Sequence, residues 1–124
     1  MMSRIVKEVQ IDGMSLQALF DTGSLRSYIT AEYRPPTTRS VPPVSVGLGG
    51  DVRRLDERCD VTASIEGLEF DLTAYIVDRL GETEHGPVDA IIGALTMEEW
   101  WIKLDPKTGE LDLSGLRRRE FTEY

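Results

Sequence analysis

The residues best equipped for chemistry lie together at Leu19-Phe20-Asp21-Thr22-Gly23-Ser24. Two apolar residues carry the chain into a carboxylate, and a hydroxyl, a glycine and a second hydroxyl follow it. A carboxylate left partly buried at the end of a strand costs on the order of several kcal/mol unless donors surround it. The expected donors are the Thr22 and Ser24 hydroxyls and the backbone N–H groups exposed by a tight turn at Gly23. Held in this way, Asp21 is the leading candidate to carry chemistry. The plain structural alternative is a loop turn in which Asp21 bonds its own backbone.

A second segment, Ala90-Ile91-Ile92-Gly93-Ala94, reads as an apolar strand that ends in glycine. Taken alone it is a core strand with its glycine at a crowded crossing. Other chemistries are poorly supplied. A single cysteine, Cys59, excludes an internal disulfide, and His85 is the one histidine. A zinc site takes three or four ligands, usually Cys or His, so no metal and no cofactor is expected. Cys59 falls inside a strand-like run and reads as a packed filler rather than as a nucleophile paired with His85.

The elements that must position these groups are mainly strands. Ile5, Val9 and Ile11, the turn signal Asp12-Gly13, and the alternation of Met14, Leu16, Ala18 and Phe20 predict a hairpin that runs straight into Asp21. Tyr28 and Ile29 begin another short extended piece. Pro35, Pro36, Pro42 and Pro43 forbid a long helix after it. Val44, Val46 and Leu48 alternate into Gly47, Gly49 and Gly50, which predicts an edge hairpin with a flexible tip. A further hairpin turns at Glu66-Gly67, a polar loop covers 81–87, and a last hairpin surrounds Asp105 to Gly109. Thr96 with Glu99 three residues on is a capping-box signal, so a short helix is expected over Met97 to Trp101. One of Trp100 and Trp101 is expected in the core and the other against a partner.

The chain of 124 residues fits one domain, 1–124, with a core over about 4–113 and a C-terminal extension over 114–124. Its net charge of −8 disfavours nucleic acid and anionic membrane surfaces as partners. The run Arg117-Arg118-Arg119 is short and reads as a solvated face. Met1 to Val6 is too polar for a secretory signal, and no apolar stretch is long enough to span a bilayer. A soluble, cytoplasmic protein is the expectation.

Taken together, the motif at 19–24, the glycine-rich segment at 47–50 and the Ile91-Ile92-Gly93 strand before a helix resemble the retropepsin-like aspartic peptidases, the single-domain relatives of pepsin. The resemblance implies an all-β, mainly β-barrel fold with one short C-terminal helix. It implies that Asp21, Thr22 and Gly23 form the catalytic loop, with Thr22 bonding across a dimer axis. Ser24, Gly47, Leu48, Gly49, Gly50, Ile91 and Ile92 are the implied substrate contacts, the glycine-rich hairpin over Gly47 to Val52 acting as a flap, and the two isoleucines and Gly93 pack behind the loop. The chain carries one Asp-Thr-Gly, so the implied enzyme is a homodimeric endopeptidase that cuts a peptide or protein substrate with a water held between two Asp21 carboxylates. The alternative is a dimeric peptide-binding module that cleaves weakly or not at all.

Departures from the family pattern carry expectations of their own. Viral members usually have alanine at the position of Ser24, and a hydroxyl bonded to Asp21 here would lower the working pH. The acidic and arginine residues that brace viral dimers are replaced by Leu25 and Ala94, with Arg26 as a candidate substitute. Leu116 and Phe121, in the extension, are candidates for a terminal strand joining a dimer sheet, with a frayed tail as the alternative.

Overall fold

The architecture follows from three tight turns. A computed structural model describes residues 4–123. Its first strands, β1 (Arg4–Ile11) and β2 (Met14–Asp21), pair antiparallel around Asp12-Gly13. Both turn residues have positive φ, 51° and 76°, the geometry of a two-residue turn whose twist matches the strands it joins. β3 (Ser27–Thr30) leads into a 3-10 turn at Ala31–Tyr33. β4 (Arg39–Leu48) and β5 (Asp51–Ile65) turn at Gly49-Gly50, and β5 and β6 (Leu68–Val77) turn at Glu66-Gly67, again with positive φ throughout.

The segment expected to be an irregular polar loop contains a minimal hairpin, β7 (Glu82–Thr83) and β8 (Gly86–Pro87). Then come β9 (Ala90–Ile92), α1 (Ala94–Trp100), β10 (Lys103–Asp105), β11 (Glu110–Asp112) and α2 (Ser114–Arg118).

The main sheet runs β1-β2-β9-β3-β6-β5-β4, and β1 also pairs with β5 through Gln10 and Ile11. That extra pairing closes six strands into a ring and leaves β4 as the edge. β5 serves twice. Its second half, Arg58–Ile65, lies in the ring against β6, while Asp51–Leu55 pairs with Leu48 back to Val44 in the edge hairpin. Pro42 and Pro43 sit where the β4 register slips between Ser40 and Val44, so neither is asked for a ladder hydrogen bond inside the ring.

Period-two alternation fills the ring. Val9, Ile11, Leu16, Ala18, Phe20, Ile29, Ala63, Ile65, Phe70 and Leu72 point inward and are essentially inaccessible. Cys59 joins them, and burial pushes its thiol up to about 11.

The helix after β9 begins at Ala94, three residues before the expected start, and is capped by the extended backbone of Gly93. Thr96 therefore sits inside the first turn rather than at the cap, and its hydroxyl pairs with that of Ser27 at 3.2 Å. The extension does not form a strand and does not fray over its first residues. Its α2 buries Leu116 and Gly115, and Phe121 packs edge-on to both Trp100 and Trp101. Both tryptophans are thus partly covered by their own chain. No helix among the described residues is long and apolar enough to cross a membrane.

Candidate active site

Alternation along β2 decides what Asp21 faces. Ala18 and Phe20 point into the ring, so Leu19 and Asp21 point to the opposite side. There they meet Tyr28 from β3 and Ile91 from β9, and these four residues floor a cleft of about 530 Å³. The end of β4 from Ser45 and the turn residue Gly49 roof it, and Leu80 and Val88 close one side. β9 lies between β2 and β3, parallel to β2 with Ile92 beside Phe20 and antiparallel to β3 with Ile91 beside Tyr28.

Asp21 is 9% exposed, at the mouth of this floor. Its Oδ1 accepts the Gly23 backbone N–H at 2.8 Å and its carbonyl accepts the Ser24 N–H at 3.1 Å, so the local turn named above as the structural alternative does form, here at the floor of the cleft. Its Oδ2 lies 3.6 Å from Nε of Arg4, the residue opposite it in the β1–β2 ladder. Backbone donation and a neighbouring cation thus offset the cost of burying the charge. The Ser24 hydroxyl does not contribute, contrary to expectation. It donates to the Arg26 carbonyl at 2.8 Å and so braces the loop rather than the carboxylate. Thr22 also makes no bond to Asp21 among the described residues. It is exposed and turns away toward α1.

The loop is clamped from behind. Ala94 and Leu95 donate their N–H groups to the Ser24 and Leu25 carbonyls at 2.7 and 3.1 Å. Gly93 donates to the buried Ser27 hydroxyl at 2.9 Å. The crossing is so tight that a Cβ on Gly93 would stand 2.2 Å from the Arg26 carbonyl oxygen. Only glycine lets the strand pass there. The sequence motif at 90–94 is therefore the support of the 21–26 loop.

The expected substrate contacts divide. Ser24, Gly47, Leu48, Gly49 and Ile91 line the cleft. Gly50 lies at the hairpin tip outside the lining. Ile92 points the other way and is fully buried in the ring, so its assignment to substrate contact is corrected to core packing. Three cleft residues were missed by motif reading: Arg4, Arg26 and Arg53. Arg4 was legible from the hairpin register, since an eight-residue strand with a two-residue turn sets it opposite Asp21. Burial raises the Tyr28 phenol above its ordinary range, with the Arg26 cation working against that rise.

Beside the catalytic-loop candidate lies a second, apolar hollow of about 580 Å³. Thr22 forms one edge, and Ala94, Met97, Trp101, Ile102 and Leu104 supply the rest of its apolar wall. Leu25 and Leu95, both more than half exposed, stand in the same loop-and-helix region.

The closed ring, its external edge hairpin and the β2 loop under it make up an all-β, retropepsin-like fold. Among solved structures, the retroviral protease-like domain of Ddi1 from Leishmania major is similar to this chain, with a TM-score of 0.62 over 90% of this chain and 89% of that one, at 14% identity. No protein-family model and no curated protein matches the sequence.

Proposed function

We propose that the chain is an aspartic-type endopeptidase that works as a homodimer, one Asp21 from each copy. The observation that carries this reading is the position of Asp21. It is a nearly buried carboxylate, fixed by a backbone N–H, at the floor of a peptide-sized cleft in a retropepsin-like fold.

One Asp21 supplies one half of an acid–base pair. A second copy docked about a two-fold axis on the face that carries Thr22, Leu25, Leu95 and the apolar hollow supplies the other. Two such carboxylates at about 3 Å cannot both ionise, as is familiar from aspartic proteases, so the pair holds one proton. The ionised member removes a proton from water as the water oxygen bonds to the scissile carbonyl carbon. The protonated member donates to the carbonyl oxygen. As the tetrahedral diol collapses and the C–N bond breaks, the carboxyl that took the water's proton gives it to the departing nitrogen and the other carboxylate takes a diol hydroxyl proton, which restores the singly protonated pair. The chain's remaining residues orient and exclude water. The substrate lies extended under β4, with the β4–β5 hairpin as a flap whose Gly49-Gly50 turn permits closure.

Cleavage of a broad peptide library by the purified chain, with and without Asp21→Asn, tests the activity. Cleavage abolished by Asp21→Asn supports it. Binding without cleavage by the unaltered chain at both acidic and neutral pH favours the peptide-binding alternative.

A further inference from the structure

The molecule carries a charge of −8, yet three arginines, Arg4, Arg26 and Arg53, line its cleft beside the acidic Asp21 and Glu82, and the Arg26 charge lies close enough to Tyr28 to act on its phenol. The three cations are not equivalent. Arg53 spends Nη1 on the Asp78 carboxylate, at 3.3 Å, and on the Arg79 carbonyl. Arg4 approaches Asp21. Arg26 has no ion pair and no side-chain hydrogen bond among the described residues.

The backbone of Arg26 is nevertheless held firmly. Its carbonyl accepts the Ser24 hydroxyl, and Gly93 packs directly on it. A fixed backbone with an uncommitted guanidinium at the wall of a cleft is a preorganised receptor for a carboxylate, because only side-chain freedom is lost on binding.

We infer that Arg26 is a specificity-determining residue that selects peptides with an acidic side chain near the bond to be cut. This deepens the proposed function and rests on it. Under the two-fold symmetry proposed above, each copy presents its own Arg26, so an acidic residue is favoured on either side of the bond. Arg26 touches the substrate side chain and takes no part in proton transfer. Its removal is read as a change in selection between peptides.

The test uses the full chain and labelled octapeptides in which a hydroxyethylene unit replaces the scissile bond, so that binding is read without cleavage. The peptides differ only in carrying Glu, Gln or Lys at one of the two positions on each side of that unit. Fluorescence anisotropy is expected to show the Glu peptide of at least one position binding about fivefold tighter than its Gln counterpart, with Lys weakest. The preference should shrink as salt rises from about 50 to about 500 mM, as screening requires. Arg26→Gln should bring the Glu and Gln peptides to equal affinity, and Arg26→Glu should turn the preference toward Lys.

Equal binding of Glu and Gln peptides by the unaltered chain overturns the inference while leaving the proposed function in place. A Glu preference that survives in Arg26→Gln overturns it as well, and directs attention to Arg4. Failure of every peptide to bind overturns the inference, and cleavage of the broad library then decides the proposed function separately.

Discussion

At the scale of single residues, Asp21 is set by alternation and by one backbone hydrogen bond. Ser24 provides the sharpest residue-level prediction. Its hydroxyl serves the Arg26 carbonyl, so Ser24→Ala should lower stability by about 1 kcal/mol and leave the pH profile of cleavage unmoved. Thermal melts and a pH–rate series on the same protein check both halves.

Cys59 gives a second prediction. Burial raises its folded pKa from an ordinary thiol's 9.0 to about 11, so the unfolded chain loses this proton first as pH rises. The stabilising effect is complete below pH 9 and is lost as pH climbs toward 11. Comparing Cys59→Ala with the parent at pH 7 and pH 10.5 by denaturant unfolding should show the parent losing on the order of 2 kcal/mol more than the variant. In the folded protein at pH 7 the thiol should resist alkylation.

The catalytic candidate was legible because Asp21-Thr22-Gly23 follows an alternating strand. The partners of Ser24 and Thr22 were not, because a hydroxyl one or three residues from a carboxylate can turn either way and the loop's return against Gly93 decides it.

At the scale of elements, the hairpins were readable and the helix boundaries less so. Asp12-Gly13, Gly49-Gly50 and Glu66-Gly67 each demand positive φ at both positions, and each makes the expected turn. The capping-box pattern at Thr96 and Glu99 failed because tertiary bonds to the Ser24 and Leu25 carbonyls occupy the first N–H groups of α1. Those groups needed no side-chain cap, and Thr96 was released to pair with Ser27. Ile92 was misassigned because motif matching ignores which face of a three-residue strand is covered. α2 was missed because five residues with one buried leucine carry no periodic signal.

The crossing of β9 behind the loop makes a firm element-level prediction. Gly93→Ala forces a methyl into the Arg26 carbonyl, backbone against backbone, and should cost about 3 kcal/mol or more. The expected result is a melting temperature lower by several degrees with cleavage reduced even in the folded fraction.

At the scale of the whole molecule, the fold closes a ring from strands far apart in sequence and leaves two features outside it. These are an edge hairpin over a cleft, and an apolar face beside the 21–26 loop. The first was foreseen from the glycines and prolines of 35–50. The second depends on α1, the 21–26 loop and β10 meeting in space, which no local pattern encodes. The extension packs Phe121 on Trp100 and Trp101 instead of offering a terminal strand, and the two-fold contact proposed above is accordingly assigned to the side that exposes Leu25 and Leu95. Leu25→Glu and Leu95→Glu should therefore weaken self-association in sedimentation runs at graded concentrations while leaving the circular dichroism spectrum intact.

Subunit mixing tests shared catalysis most directly. Wild-type and Asp21→Asn chains are dissociated, combined at fixed total concentration and reassembled, and peptide cleavage is measured against the wild-type fraction. If each centre needs one aspartate from each of two copies, activity follows the square of that fraction and falls to about a quarter at equal mixing. Activity that falls only to about a half, in proportion to the wild-type fraction, would contradict the account.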